Sequence, residues 1–178
     1  MLEDRDIKIA SDKPSADIKR RKMEMEAAHN QEFTAMGKEL GRVVAEKFID
    51  AIKNQTLGGE TDNAELLLQR QILLSFAAIS GFEQFCKDSD YLSAAKRSFL
   101  EPLKNNYPEL YSGATDNGAL SFYYLAFRRG GEVERRIGQT FAMLCSHDGD
   151  PVYHELGEAL YCWFTSVIKK TEKAISEK

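Results

Sequence analysis

Apolar side chains recur at helical spacing along most of the chain, whereas the sustained alternation that is typical of strands is absent. The pattern predicts an all-α fold, a single-domain bundle of five to seven helices with a long N-terminal helix, over residues 15–178. Residues 1–14 carry mixed charge and few large apolar groups, so we expect a disordered or frayed tail there.

The first predicted helix runs from about Ser15 to Thr56, where the sequence TLGG supplies a stop. One unbroken helix of this length would measure about 60 Å, more than the width of a domain of this size. We therefore expect either a break near His29-Asn30 or a projecting N-terminal half, and a projecting polar helix would need a partner. Gly37 and Gly41 lie one turn apart and would let another backbone approach closely.

Two later helices are apolar on almost every side, which predicts that both are buried. The second helix is expected to be capped by Thr61 or Asp62 and to end near Cys86. The fourth, ALSFYYLAFRR, should end at Gly130-Gly131. Between them, a third helix should follow Ser89 or Asp90, with a kink or restart at Pro102.

Each of the last two predicted helices has its apolar residues on one face. The fifth, from about Glu132 to Cys145, carries a regular apolar stripe and a Glu132–Arg136 pair at i and i+4. The sixth should begin with Asp150 as its N-cap and Pro151 at its first position. Its predicted core-facing stripe consists of Val152, Leu156, Leu160, Trp163 and Val167.

Charge and cysteine content restrict the class of partner. A net charge of −4 argues against a surface devoted to nucleic acid or to an anionic membrane, and acidic residues flank the one basic cluster, Lys19 to Lys22. The longest apolar stretch, Ile72 to Phe82, is shorter than the roughly 20 residues that span a bilayer. Three scattered cysteines and an N-terminus without a signal-like apolar core indicate a cytoplasmic protein.

One short segment, LCSHDGDPVYHELGEALYCW, concentrates groups that could bind a metal. A set that includes both His154 and Cys162 fails, because eight residues of one helix would separate these two by about 12 Å. Cys145, His147, His154 and Glu158 remain as candidate metal ligands. The competing interpretation is a capped turn between two helices, in which Asp150 caps and Cys145 is a small core residue.

Aromatic residues form a second candidate site on the fourth and sixth predicted helices. A pocket for an apolar or planar ligand could use the tyrosine hydroxyls as polar anchors, although core packing explains the same rings. The candidate ligand-binding residues are Tyr123, Tyr124, Phe127, Tyr161 and Phe164.

The patterns favour a non-enzymatic interaction or regulatory protein that acts as a homodimer, with self-association or a protein partner at the N-terminal helix. No catalytic residue and no cofactor are predicted, and neither a membrane nor nucleic acid is an expected partner. The alternatives are a small-molecule-binding domain with the aromatic pocket and a metal-dependent enzyme that uses the Cys145–Glu158 corner.

Overall fold

The computed structural model describes residues 16–53 and 64–177, and within these ranges the fold is all-α, with seven helices and no strand. In chain order the helices are α1 (Ala16–Lys53), α2 (Ala64–Phe85), α3 (Ser89–Asn106), α4 (Pro108–Ala114), α5 (Asn117–Arg128), α6 (Val133–Leu144) and α7 (Pro151–Ser176). The predicted fold class, a helical bundle with a long N-terminal helix, is therefore confirmed.

The first helix contains 38 residues and stays helical through His29 and Asn30, so the break, one of the two expected alternatives, is absent. The chain divides into two compact units, one up to Glu32 and one from Phe33 onward. In the first unit the structure describes residues 16–32, and all of their side chains are exposed. The second unit contains the core.

Helix α2 is the centre of the second unit, as its nearly all-round apolar sequence predicts. It contacts α3, α4, α5, α6 and α7, and all but one of the residues from Arg70 to Phe82 are buried. The rings of Phe48, Phe99 and Phe164, from three other helices, meet in the same core. Burial of these large rings removes apolar surface from water and so contributes to the driving force for folding.

Two polar side chains at the start of this buried region of α2 hold neighbouring helices. The Arg70 guanidinium Nη2 donates to the carbonyl oxygens of Ala51 and Ile52, at 2.6 and 3.2 Å. It thereby satisfies acceptors in the last turn of α1, which have no partner within that helix. The Gln71 amide donates to the carbonyl oxygens of Glu109 and Leu110, both at 3.0 Å, and so fixes the first turn of α4.

Glycines set the close helix contacts. At Gly41 a Cβ atom would clash with the Ala95 carbonyl oxygen and would lie 2.8 Å from the Phe99 backbone nitrogen, and Gly37 meets α3 one turn earlier in the same way. The predicted role of these two glycines in close backbone approach is confirmed. Gly138 makes the equivalent contact from α6, because a Cβ there would overlap the His154 carbonyl oxygen of α7.

Three aspartates cap helices, and one of them corrects a predicted boundary. Asp150 accepts from the Val152 N–H at 2.9 Å with Pro151 at the first helical position, as predicted. Asp88, rather than Ser89 or Asp90, is the N-cap of α3 and accepts from Asp90 and Tyr91. Asp116 caps α5 in the same way.

Pro102 lies inside α3 and neither ends nor restarts it. A proline inside a helix removes one backbone hydrogen bond and costs about 3 kcal/mol. Phe99 and Leu103, on either side of it, are both fully buried and pack into the core. Their burial offsets the cost, so α3 continues to Asn106.

The expectation that the fourth predicted helix is buried is wrong for one of its faces. This helix is α5, and it buries Leu120, Tyr123 and Ala126, whereas Phe122 and Leu125 are exposed.

Two smaller predictions, on α6 and α7, are also wrong. Glu132 pairs with Arg135 at 3.1 Å rather than with Arg136, and Val152 and Trp163 in the predicted core-facing stripe are exposed.

The predicted tail at 1–14, the TLGG stop and the Thr61 or Asp62 cap lie outside the described residues. Among the described helices, none combines the length and the apolar character that a membrane span requires.

Candidate functional site

The corner between α6 and α7 is a tight, hydrogen-bonded turn. Its backbone includes Ser146 at φ 61° and Gly149 at φ 80°, and the His147 N–H donates to the Ala142 carbonyl oxygen at 2.8 Å. The His147 ring stacks on Tyr153 with centroids 3.8 Å apart, and its Nδ1 lies 3.9 Å from an Asp150 carboxylate oxygen. The backbone and ring of His147 therefore make these contacts with residues of the corner itself.

The four predicted metal ligands do not come together. Among the described residues, no group of three or more His, Cys, Asp and Glu side chains is placed to hold a metal ion. Cys145 is buried, and burial, reinforced by the charge of Glu65, raises the pKa of its thiol to about 12, so the thiol stays protonated at neutral pH. His154 and Glu158 lie along α7 beside Gly138 of α6.

The predicted aromatic residues do come together, and four of the five surround one ring. Phe76 of α2 lies 5.1 Å from Tyr124 and 5.4 Å from Tyr123, measured between ring centroids. Phe127 and Tyr161 are each 6.1 Å from the same ring. These are the separations and tilts of packed aromatic pairs. Phe164 belongs to a neighbouring contact with Phe48 and Trp163.

The Tyr123 side chain is fully buried, and its hydroxyl has no hydrogen-bond partner among the described residues. Burial raises the pKa of this phenol well above 10, so the group is neutral. The aromatic-pocket hypothesis stays a prediction, since direct ring contacts account for the positions of these side chains.

Residues 16–32 of α1 carry large apolar side chains that are open to solvent. Ile18 is 60 % exposed, Met23 69 % and Met25 73 %. At about 100° per residue, Ile18 and Met25 lie on the same face of the helix. A shallow concave strip on that face is lined by Ile18, Arg21, Lys22, Met25, Glu26 and His29. We call this strip the N-terminal face.

Charge is unevenly distributed along the same segment. The basic cluster Lys19 to Lys22 is followed by Glu24, Glu26 and Glu32, so the first half is basic and the second half is acidic. Pairs within the helix are long and exposed, with Arg20 to Glu24 at 3.5 Å and Lys22 to Glu26 at 3.9 Å. Exposed pairs of this kind contribute little to stability.

Sequence reasoning predicted the N-terminal helix as an interaction element, but it treated the basic cluster as a solvated face and did not identify the separation of charge along the segment. The signal was visible in the sequence, because the basic block Lys19 to Lys22 is followed within a few residues by Glu24 and Glu26. No protein-family model matches the chain, and neither a curated protein nor a solved structure shows significant similarity to it.

Proposed function

We propose that this chain is a non-enzymatic interaction protein that forms a homodimer by antiparallel pairing of the N-terminal faces of two copies. The observation that carries the proposal is the exposure of Ile18 and Met25 on a helical face whose two halves have opposite charge. A homodimer places the same patch against itself, so the patch must be self-complementary. Antiparallel pairing meets that requirement here.

The residues of the N-terminal face map onto one another about a two-fold axis between Met23 and Glu24. With the axis there, Ile18 of one copy would lie opposite His29 of the other, and Lys22 opposite Met25. Arg21 would lie opposite Glu26, which forms two equivalent ion pairs across the dimer. A parallel pairing would instead align the basic halves with each other, and like charges in contact are repulsive.

The expected dimer is weak. Burial of Ile18 and Met25 from both copies would yield at most about 6 to 12 kcal/mol, at about 1.5 to 3 kcal/mol for each of the four side chains if fully buried. Association costs about 4 to 15 kcal/mol in lost translational and rotational freedom. Because this cost is similar to the gain from apolar burial, the charge pairs decide whether the dimer forms. We therefore expect a dissociation constant on the order of 10 μM or weaker, rising with salt because exposed charges are screened.

Sedimentation equilibrium of the full chain tests the proposal through a charge exchange. Arg21→Glu should weaken the dimer by about tenfold or more, because it places two carboxylates opposite each other in each of two pairs. Glu26→Arg should do the same, and the double variant should recover the dimer. Arg20→Glu is the matched control, since Arg20 lies off the N-terminal face and its change in charge is identical.

A monomeric parent chain at millimolar concentration would contradict the proposal. Equal weakening of the dimer by Arg20→Glu and Arg21→Glu would also contradict it, because this would indicate an effect of net charge alone.

We further propose that the protein acts in the cytoplasm. The free thiols of Cys86, Cys145 and Cys162 support this proposal.

A further inference from the structure

A second exposed apolar surface lies in the core unit, between α5 and α6. Phe122 is 48 % exposed, Leu125 52 % and Met143 42 %, and all three line one groove of about 320 Å³. Large apolar side chains that lie together on the surface are typical of interaction sites. We call this surface the α5–α6 groove.

The groove has a cationic end. Arg129 and Arg136 also line it, and a four-residue connection between α5 and α6 brings these two arginines to the same end. The Arg136 guanidinium lies beneath the Gly130-Gly131 turn, with Nη2 3.2 Å from the position that a Cβ of Gly131 would take. Phe122 and Met143 occupy the opposite end.

Neither arginine is neutralised by the described residues. Glu132, the carboxylate nearest in sequence, pairs with Arg135 at 3.1 Å. The Nη1 atom of Arg136 is buried and has no hydrogen-bond partner among the described residues. Nη1 is closed to solvent, but Arg136 as a whole is partly exposed and Arg129 is exposed. A carboxylate brought to the groove by a partner would therefore offset the charge of the two arginines through charge-assisted hydrogen bonds.

We propose that the α5–α6 groove binds an acidic amphipathic helix of a partner protein. Two of its apolar side chains, one turn apart, would contact Phe122, Leu125 and Met143. A carboxylate about two turns further on would reach Arg129 and Arg136, because i and i+7 are about 10.5 Å apart on both helices. Asp148, at the Met143 end of the groove, disfavours the opposite orientation by charge repulsion.

The proposal does not depend on dimerisation through α1, and a peptide titration of the full chain tests it. The probes are two synthetic helical peptides of about 16 residues with leucines at i, i+3 and i+4, carrying either glutamates or lysines at i+7 and i+8. Fluorescence anisotropy should show that the glutamate peptide binds at least about tenfold more tightly than the lysine peptide. Amide shifts in a nitrogen-edited NMR spectrum should map to α5 and α6.

Matched variants locate the contact. Arg129→Glu should weaken binding of the glutamate peptide by about tenfold, whereas Arg135→Glu, the same change on a different face of α6, should leave it within about twofold. Leu125→Lys should abolish binding, whereas Val152→Lys, at an exposed valine outside the groove, should not. Each variant is compared with the parent chain by thermal unfolding, so that misfolding is recognised.

Three results would overturn the proposal. The first is equal binding, or no binding, of the two peptides. The second is that the chain binds phosphatidylserine vesicles but neither peptide, and that Leu125→Lys abolishes the vesicle binding. This result would assign the groove to a lipid surface. The third is a lower sedimentation mass for Leu125→Lys than for the parent, which would show that a second copy of this chain covers the groove.

Discussion

Arg70 shows how one polar side chain can determine the contact between two helices in an otherwise apolar core. It is almost fully buried, yet its guanidinium donates to two carbonyl oxygens in the last turn of α1. The cost of burying a cation is offset only where such acceptors are in place. Arg70 therefore serves as a side-chain cap for a helix other than its own.

Replacing Arg70 by alanine should reduce the free energy of unfolding by about 3 kcal/mol, because it leaves the Ala51 and Ile52 carbonyl groups without this donor and opens a cavity. Urea denaturation followed by circular dichroism measures the change. The control is Arg135→Ala, which removes an exposed pair with Glu132 and should cost no more than about 0.5 kcal/mol. Equal effects of the two substitutions would refute the capping role.

The residue-level features that sequence predicted correctly are the local ones. Asp150 and Pro151 at the start of α7 could be predicted because cap and helix lie within a few residues of each other. Arg70 could not, since its acceptors are nearly twenty positions away and depend on how α1 and α2 pack. Asp88 was missed because KDSD offers three capping residues in succession, and only the observed backbone geometry selects one.

Among the elements, α2 and α5 have similar apolar sequences and different environments. Helices α3 to α7 contact α2, and Arg70 joins it to the last turn of α1. Among the described residues, α5 contacts α2 and α6, and it leaves Phe122 and Leu125 exposed. An all-round apolar pattern indicates that a helix has apolar surface to bury, but not how many neighbours will cover it. For this reason the sequence predicted the central helix correctly and placed too much of α5 in the core.

The contact between α1 and α3 depends on the absence of a side chain at Gly41. Gly41→Ala should destabilise the fold by about 1 to 3 kcal/mol, because the added methyl group meets the Ala95 and Phe99 backbone, and this exceeds the gain of about 1 kcal/mol in helix propensity. Chemical denaturation gives the value.

Gly118→Ala is the control for that substitution. Gly118 lies in the first turn of α5, and a Cβ there would meet only the Asp116 carboxylate, at 3.1 Å. Its stability should be unchanged or slightly higher than that of the parent. A stable Gly41→Ala variant would mean that α1 and α3 can separate at little cost.

For the molecule as a whole, sequence patterns predicted the fold class, but not how the candidate metal ligands of the α6–α7 corner are placed. Cys145, His147, His154 and Glu158 are close in sequence, yet the turn directs His147 onto Tyr153 and leaves Cys145 in the core. The candidate surfaces that the structure does offer are solvent-exposed faces, one on residues 16–32 and one between α5 and α6.

Disulfide trapping tests antiparallel pairing of the N-terminal face most directly, with single cysteines introduced into a Cys162→Ser background that leaves the two buried cysteines in place. We predict that a mixture of the Ile18→Cys and His29→Cys chains forms a covalent heterodimer under mild oxidation. Ile18→Cys alone should remain monomeric on a denaturing gel, because the two thiols would be about 16 Å apart. Rapid cross-linking of Ile18→Cys to itself, or no cross-link in the mixture, would contradict the proposed dimer.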